Sequence, residues 1–383
     1  MSSILSLLMA LWPLHFCFAV AFRIEARWIN LSRKVELVPT PPRSGHVAFT
    51  SSDEPYSPLI FGGYVEEMDD ATGEITRRAS NDMWKWCGSD KGWSKVDYGK
   101  ENVMPQPRLA AAMCLVRDRP VLFGGWDPQT PGTGGIILDT LEEFDTKSKA
   151  WNVIDGMHIP DGPTSRHVAL SLPDGNALIH NHRCTDHVLI YSGSDFHKQL
   201  VTGQAPSSRG LHAATMAGSN VVIFGGAEQS GTMNNEVFVL DTNTYEWKQI
   251  EIEKPDCAPC PRAAPCLVAM SNNCVVLYGG AEATASGLNP RGDVWALHFD
   301  PDAGNGQWEL LIDDDGGGIS TVEGCPPPRN AATLSEIEQL EGAWNEPSEE
   351  GEVRKCFVLQ GGWHPFVRTY SDCFVLSVKV RAI

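Results

Sequence analysis

The side chains of this sequence that could bind a metal ion are concentrated in two short segments. "HNHRCTDH" (residues 180–187) contains three histidines, a cysteine and an aspartate, and "DCAPCP" (256–261) contains one C-x-x-C pair. Imidazole, thiolate and carboxylate groups are ligands that zinc and copper accept. However, a C-x-x-C without a second such pair is weak evidence for zinc. The histidine segment also coincides with a predicted strand, so we predict neither a metal nor another cofactor.

Motifs that supply reactive groups are missing from the sequence. It contains no nucleophile elbow, no phosphate-binding loop and no H-E-x-x-H. We therefore predict no catalytic residue, and we expect binding rather than catalysis.

Arginine is the residue most regularly placed for recognition, because its planar fork binds carboxylates and carbonyls in pairs. One arginine follows a proline or serine at intervals of 43 to 67 residues, which indicates six repeats. These residues are Arg43, Arg108, Arg166, Arg209, Arg262 and Arg329.

Three further marks recur after the arginines, although two of them are missing from some repeats. An apolar run ends in Gly-Gly at Gly63, Gly125, Gly226, Gly280 and Gly362, and in the third repeat we align His180-Asn181 with the glycines. An acidic residue then precedes another apolar run, at Asp82, Asp139, Asp186, Glu236, Asp293 and Asp372. A tryptophan closes four of the repeats, at Trp93, Trp151, Trp247 and Trp308.

These marks predict four short strands in each of six units, an all-β architecture. The sixth unit ends after its third strand, whereas "RIEARWINLS" (23–32) places Trp28 before the first repeat. We therefore predict a six-bladed β-propeller over residues 23–383, closed by the N-terminal strand, because such closure removes exposed sheet edges. The glycines would supply positive φ angles, and the tryptophans would pack blade against blade.

Gly-Gly after an apolar strand, the following acidic residue and the outer tryptophan resemble the kelch repeat of the galactose-oxidase type. The resemblance implies a binding surface formed by loops on one face of the ring. The expected contact residues are the six arginines above and, in the loops after Gly-Gly, Tyr64, Trp126, His182, Glu228, Glu282, Trp363 and His364. The resemblance favours a scaffold that binds a protein or peptide partner. The alternative is a small-molecule or carbohydrate enzyme, such as an oxidase or mutarotase, that uses channel arginines.

Charge and the N-terminus restrict partners and location. The net charge of −18 argues against nucleic-acid binding and allows a basic partner; we expect a monomer. Residues 1–22 are uncharged and apolar, typical of a signal, a membrane anchor or a misassigned start. Cysteines in apolar runs favour a cytoplasmic body, with secretion or membrane tethering through residues 1–22 as the alternative.

Overall fold

The computed structural model describes residues 22–32, 36–69, 71–98, 103–128, 134–314 and 324–382. In these ranges the protein is built from strands, and its single helix is a one-turn 3-10 segment, Pro255–Cys257. None of the described residues belongs to a helix with the length and apolarity needed to cross a bilayer. Apart from Phe22, the predicted N-terminal segment 1–22 lies outside the described residues.

The described strands form a β-propeller of antiparallel sheets, in which the predicted repeats are the blades. From the inner to the outer strand, blade 1 comprises Val47–Ser51, Glu54–Phe61, Met83–Trp86 and Trp93–Lys95; blade 2 comprises Ala112–Val116, Arg119–Asp127, Ile136–Asp145 and Ala150–Val153; and blade 3 comprises Val168–Ser171, Ala177–His180, His187–Tyr191 and Phe196–Leu200. In the same order, blade 4 comprises Ala213–Ala217, Asn220–Phe224, Val237–Asp241 and Glu246–Gln249; blade 5 comprises Cys266–Ser271, Cys274–Tyr278, Val294–Asp300 and Asn305–Ile312; and blade 6 comprises Asn330–Ile337, Glu352–His364, Phe374–Ala382 and Phe22–Asn30.

Short accessory strands extend several blades. Arg43–Ser44, Tyr64–Met68 and Ile75–Ala79 form a small sheet beside blade 1, and Ala281–Thr284 pairs with Gly287–Pro290 beside blade 5. Arg368–Thr369 adds to blade 6, Thr202–Gly203 to blade 4 and Glu251–Ile252 to blade 5.

The N-terminal strand closes blade 6, as the sequence predicts. Phe22–Asn30 runs antiparallel to Phe374–Ala382, from the pair Phe22–Ala382 to the pair Asn30–Phe374. Trp28 meets the ring of Tyr278 in blade 5 edge to face, at 4.9 Å between ring centroids. The last blade therefore receives its outer strand from the opposite end of the chain.

The core lies between neighbouring blades. One cluster of buried apolar side chains fills each of the interfaces 1/2, 2/3, 3/4, 4/5, 5/6 and 6/1. The outer-strand tryptophans are part of these clusters, and Trp247 is 1% exposed. Trp151 of blade 2, for example, packs against Phe61 of blade 1 at 4.9 Å. The prediction that these tryptophans pack sheet against sheet is confirmed.

The Gly-Gly pairs sit where neighbouring blades approach most closely. Gly62 has a φ of +68°, and a Cβ there would lie 2.7 Å from the carbonyl oxygen of Arg108 in the next blade. Gly63 has a φ of +91° and donates its N–H to the same carbonyl at 2.8 Å. Both positions need glycine, because a side chain would be strained and would push the blades apart.

Candidate functional site

A ring of backbone hydrogen bonds surrounds the central channel at the end where the innermost strands begin. Each blade contributes one residue, which donates to one neighbouring blade and accepts from the other over 2.7 to 3.0 Å. The ring residues are Gly45, Ala110, Arg166, Leu211, Ala264 and Ala331, with φ between +51° and +62°. A cavity of about 310 Å³ lies at this mouth. Arg166 is the only charged residue of the ring.

The loops that follow Gly-Gly flank the same ring. The residue before each ring position pairs with the first residue after the glycines in five blades. These pairs are Ser44–Tyr64, Leu109–Trp126, Gly210–Ala227, Ala263–Ala281 and Asn330–Trp363. The structure thus places Tyr64, Trp126 and Trp363 beside the channel mouth. We call this end of the propeller the loop face.

Five of the six predicted arginines lie inside the blades rather than on the loop face. Arg43, Arg108, Arg209, Arg262 and Arg329 are at most 1% exposed. Each donates to a carboxylate of its own blade: Asp82, Glu142, Glu236, Asp293 and Asp372, respectively. Each also donates to the carbonyl of the first glycine of Gly-Gly, at 2.9 to 3.2 Å.

This arrangement corrects the expectation that these five arginines contact a partner, because their guanidinium groups are buried and paired within the chain. It also removes them from the channel, where the small-molecule alternative needed them. The acidic residues of these blades have a role that the sequence did not show, because they accept hydrogen bonds from the buried arginines. In blade 2 the carboxylate comes from Glu142, while the predicted Asp139 lies near Nδ1 of His158, at 3.2 Å.

The buried ion pairs have an electrostatic signature at Asp82. Burial alone would raise the pKa of this carboxyl group, but hydrogen bonds and the charge of Arg43, together with Trp84 and Ser80, lower its pKa to about 2. The carboxylate therefore stays ionised in the folded protein, and the pair stabilises blade 1 at neutral pH.

Blade 3 departs from this plan at every position. Thr164, 1% exposed, occupies the place of the arginine, since its carbonyl accepts from Gly125 as that of Arg108 accepts from Gly63. Arg166 is therefore two residues further on, exposed and in the ring, which corrects its assignment as the arginine of the repeat.

The other marks of blade 3 are also shifted. Because His180 pairs with Val168 as Phe61 pairs with Val47, the glycine positions belong to Asn181 and His182, not to His180-Asn181. His187 stands in the place of the carboxylate, and its Nε2 lies 2.9 Å from Asp161. Asp186, predicted for that place, contacts the other ring nitrogen of His187.

Three histidines follow ring residues and line the channel wall beneath the mouth: His46, His167 and His212. Burial, reinforced by the charge of Arg43, lowers the pKa of His46 to about 3. Burial also lowers the pKa of His167 to about 4 and that of His212 well below its usual value. These imidazoles are neutral at physiological pH, so Arg166 supplies the positive charge at the mouth.

Exposed apolar side chains concentrate on the hairpins of the loop face. Of the fourteen large apolar side chains with substantial exposure among the described residues, seven lie on these hairpins: Met68, Ile75, Ile136, Ile137, Leu288, Phe366 and Val367. Phe366 is the most exposed, at 86%, and its ring meets that of the half-buried Trp363 edge to face, at 5.7 Å between ring centroids. A hairpin from Trp363 to Thr369 holds it above the ring.

Comparisons with known proteins agree with this geometry. The family model described as the KLHDC2/KLHL20/DRC7 Kelch-repeats domain matches residues 179–311. This β-propeller therefore contains kelch repeats. Human host cell factor 1 is 26% identical over 247 residues, which cover 63% of this chain and 9% of that protein. Acyl-CoA-binding domain-containing protein 6 of Oryza sativa is 24% identical over 195 residues, which cover 46% of this chain and 28% of the relative.

A solved structure described as that of YjhT shares the fold. It matches with a TM-score of 0.60 and 15% identity and covers 90% of this chain and 99% of its own. The kelch propeller spans less than a third of the length of the relatives named above. The match to YjhT shows the fold alone.

The remaining predicted site residues of the kelch propeller fall into two groups. Tyr64, Trp126, Trp363 and His364 are half-buried at the bases of hairpins beside the mouth, and His182 is exposed in blade 3. Glu228 accepts from Ser207, and Glu282 from Asn289 and Arg291, within their own blades. Sequence reasoning missed Phe366, although "HPFVR" places an apolar pair in a turn, where an exposed aromatic residue is a signal for binding.

Proposed function

We propose that this kelch propeller is a scaffold that binds a protein or peptide partner on its loop face. The observation that carries the proposal is the concentration of exposed apolar side chains on hairpins beside the channel mouth. Single exposed apolar residues are ordinary, whereas several on one face mark interaction surfaces. Aromatic anchors and arginine are the residues that dominate binding energy.

The proposed contact set is narrower than the sequence suggests. It comprises Phe366 with Trp363 and His364 in blade 6, Tyr64 in blade 1, Trp126 with Ile137 in blade 2, and Arg166 with His182 in blade 3. Arg166 would receive an acceptor of the partner, a carboxylate or a carbonyl, at the mouth. The expectation of a basic partner rests on the net charge of the whole chain. Basic groups of a partner would meet acidic side chains outside the loop face.

The proposed setting is the cytoplasm, with the propeller acting as a monomer. Cys114, Cys274 and Cys373 are buried in the apolar clusters between blades, as expected for thiols that act as small apolar side chains. A reducing compartment suits such thiols.

The test uses the full chain as an affinity bait, followed by binding measurements with each purified candidate partner. The double variant Phe366→Ala, Trp363→Ala should weaken binding by about 30-fold or more, since aromatic anchors contribute about 2 kcal/mol or more. The matched control is Tyr56→Ala, an aromatic residue with 46% exposure near the start of the second strand of blade 1, at the opposite end of the propeller. If Tyr56→Ala weakens binding and the double variant does not, the loop face is not the binding surface.

A further inference from the structure

Three side chains of different chemistry meet in blade 3, beside the turn that replaces Gly-Gly. They are Asp161, Cys184 and His187, and their potential ligand atoms all lie within 4.8 Å of one another. Nε2 of His187 is 2.9 Å from Oδ2 of Asp161. The side chains are 4% exposed for Asp161 and 9% for His187, and Cys184 is buried. The potential ligand atoms therefore lie close together and are largely shielded from the solvent.

Neighbouring groups already orient two of the three ligands. Nδ1 of His187 lies 2.7 Å from Oδ1 of Asp186, and a carboxylate on the second ring nitrogen is the usual companion of a metal-bound histidine. The backbone N–H of Asn181 donates to Sγ of Cys184 at 3.5 Å. Such a donor favours the thiolate form, which is the form that binds a metal ion.

The charges around the cluster decide how a cation would enter. Lys198 donates to Oδ1 of Asp161 at 2.5 Å, but its side chain is 51% exposed and can move into solvent. Metal ions bind the thiolate form of cysteine, so the Cys184 thiol would release its proton to the solvent when a metal ion binds, and binding becomes dependent on pH.

We propose that Asp161, Cys184 and His187 form a binding site for a zinc-type divalent cation. One oxygen, one sulfur and one nitrogen donor suit the borderline softness of zinc, and three protein ligands leave the fourth tetrahedral position open to water or to a partner's side chain. The ligand set differs from the one that the sequence suggests, because His180 lies in the core against Trp247. It also differs from the C-x-x-C of Cys257 and Cys260.

The test of the cation site needs no partner protein and uses zinc itself. The full chain, stripped with a chelator, is titrated with zinc against a chromophoric competitor, and one zinc ion per chain is expected. Cys184→Ser should weaken zinc binding by about 100-fold, and Asp186→Asn, which acts through His187, by about 10-fold. Lys198→Met should strengthen it, because the competing ammonium group is gone. His197→Asn, an exposed histidine on the same strand, should change nothing.

Cobalt gives a second readout that does not depend on affinity. The cobalt-loaded wild type should show a sulfur-to-cobalt charge-transfer band, and Cys184→Ser should lose that band while retaining the wild-type circular dichroism spectrum. The proposal is wrong if the stripped wild type takes up no zinc. It is also wrong if the double variant Cys257→Ser, Cys260→Ser abolishes uptake while Cys184→Ser does not.

Discussion

Blades 3 and 5 have different side chains at the same three buried positions. In blade 5, Arg262 joins Asp293 and the carbonyl of Gly279, and all three groups are buried. In blade 3, Thr164 takes the place of the arginine, His187 that of the carboxylate, and Asn181 that of the glycine. The marks of a repeat are therefore replaced together. A buried carboxylate without its arginine would be an uncompensated charge and would destabilise the blade. A blade that lacks the arginine is therefore expected to lack the carboxylate at the paired position as well.

The largest effect should come from breaking a regular blade. Arg262→Met removes the bidentate partner of the buried Asp293 and leaves Arg291, at 3.6 Å, beside the carboxylate. We expect the free energy of unfolding to fall by about 3 kcal/mol. Arg166→Met, the matched change in the ring of blade 3, should alter it by less than about 0.5 kcal/mol. Urea unfolding of the two full-length variants measures both values. Equal losses would mean that the ion pair of blade 5 does not stabilise the blade.

Substitutions in the turns should also destabilise a regular blade more than blade 3, but by a smaller amount than the loss of the ion pair. Gly226 has a φ of +97°, and a Cβ there would lie 2.9 Å from both the carbonyl oxygen of Gly210 and Cβ of His212. Gly226→Ala should therefore destabilise blade 4 by about 1–3 kcal/mol. His182→Ala, at the corresponding position of blade 3, should be nearly neutral in the same unfolding experiment. A large loss for His182→Ala would show that the turn of blade 3 is as constrained as the others.

The effect that is smallest at neutral pH should appear as a dependence on pH. His180 stands where blades 1, 2 and 4 have phenylalanine, and burial, with the charge of Arg209, lowers its pKa to about 3. Its folded pKa is below the unfolded value near 6.5, so below pH 6.5 the unfolded chain binds the extra proton and stability falls as the pH drops.

His180→Phe should reduce that slope by up to about 1.4 kcal/mol per pH unit between pH 6.5 and 4. The free energy of unfolding is measured at several pH values across this range. His197→Phe, an exposed change in the same blade, serves as the control. An unchanged slope in His180→Phe would assign the acid sensitivity to other groups, such as His46 and His212.

Sequence reasoning succeeded where one residue type has one structural use. Gly-Gly at the blade junctions, tryptophan between blades and Trp28 on the strand that completes blade 6 follow from sterics and from the cost of an open sheet edge. The arginines failed as site residues, because the sequence shows neither their burial nor their carboxylate partners. Glu142 was missed for this reason: Thr140 occupies the position that Asp82 has in blade 1, and Glu142 lies two residues further along the strand, on the same face.

Blade 3 shows why the rest could not be predicted. "TSRHVA" contains an arginine near the expected place, and residue type alone assigns Arg166 to the repeat. The strand register, in which Val168 pairs with His180, shows that Thr164 rather than Arg166 occupies the position of the repeat arginine. Likewise, Asp161 comes from the loop before the blade, and a local sequence segment does not show that it meets Cys184 and His187.

The pairing of Phe22 with Ala382 has a mechanical consequence. These two residues are neighbours at the end of blade 6 that faces away from the ring, so a load that pulls them apart acts on one hydrogen-bonded pair at a time. The hydrogen bonds between Phe22–Asn30 and Phe374–Ala382 would then break one after another, as in unzipping. A load applied along the two strands would have to break all of these hydrogen bonds at once. Attachments at these two positions would share one corner of the molecule and leave the loop face unobstructed.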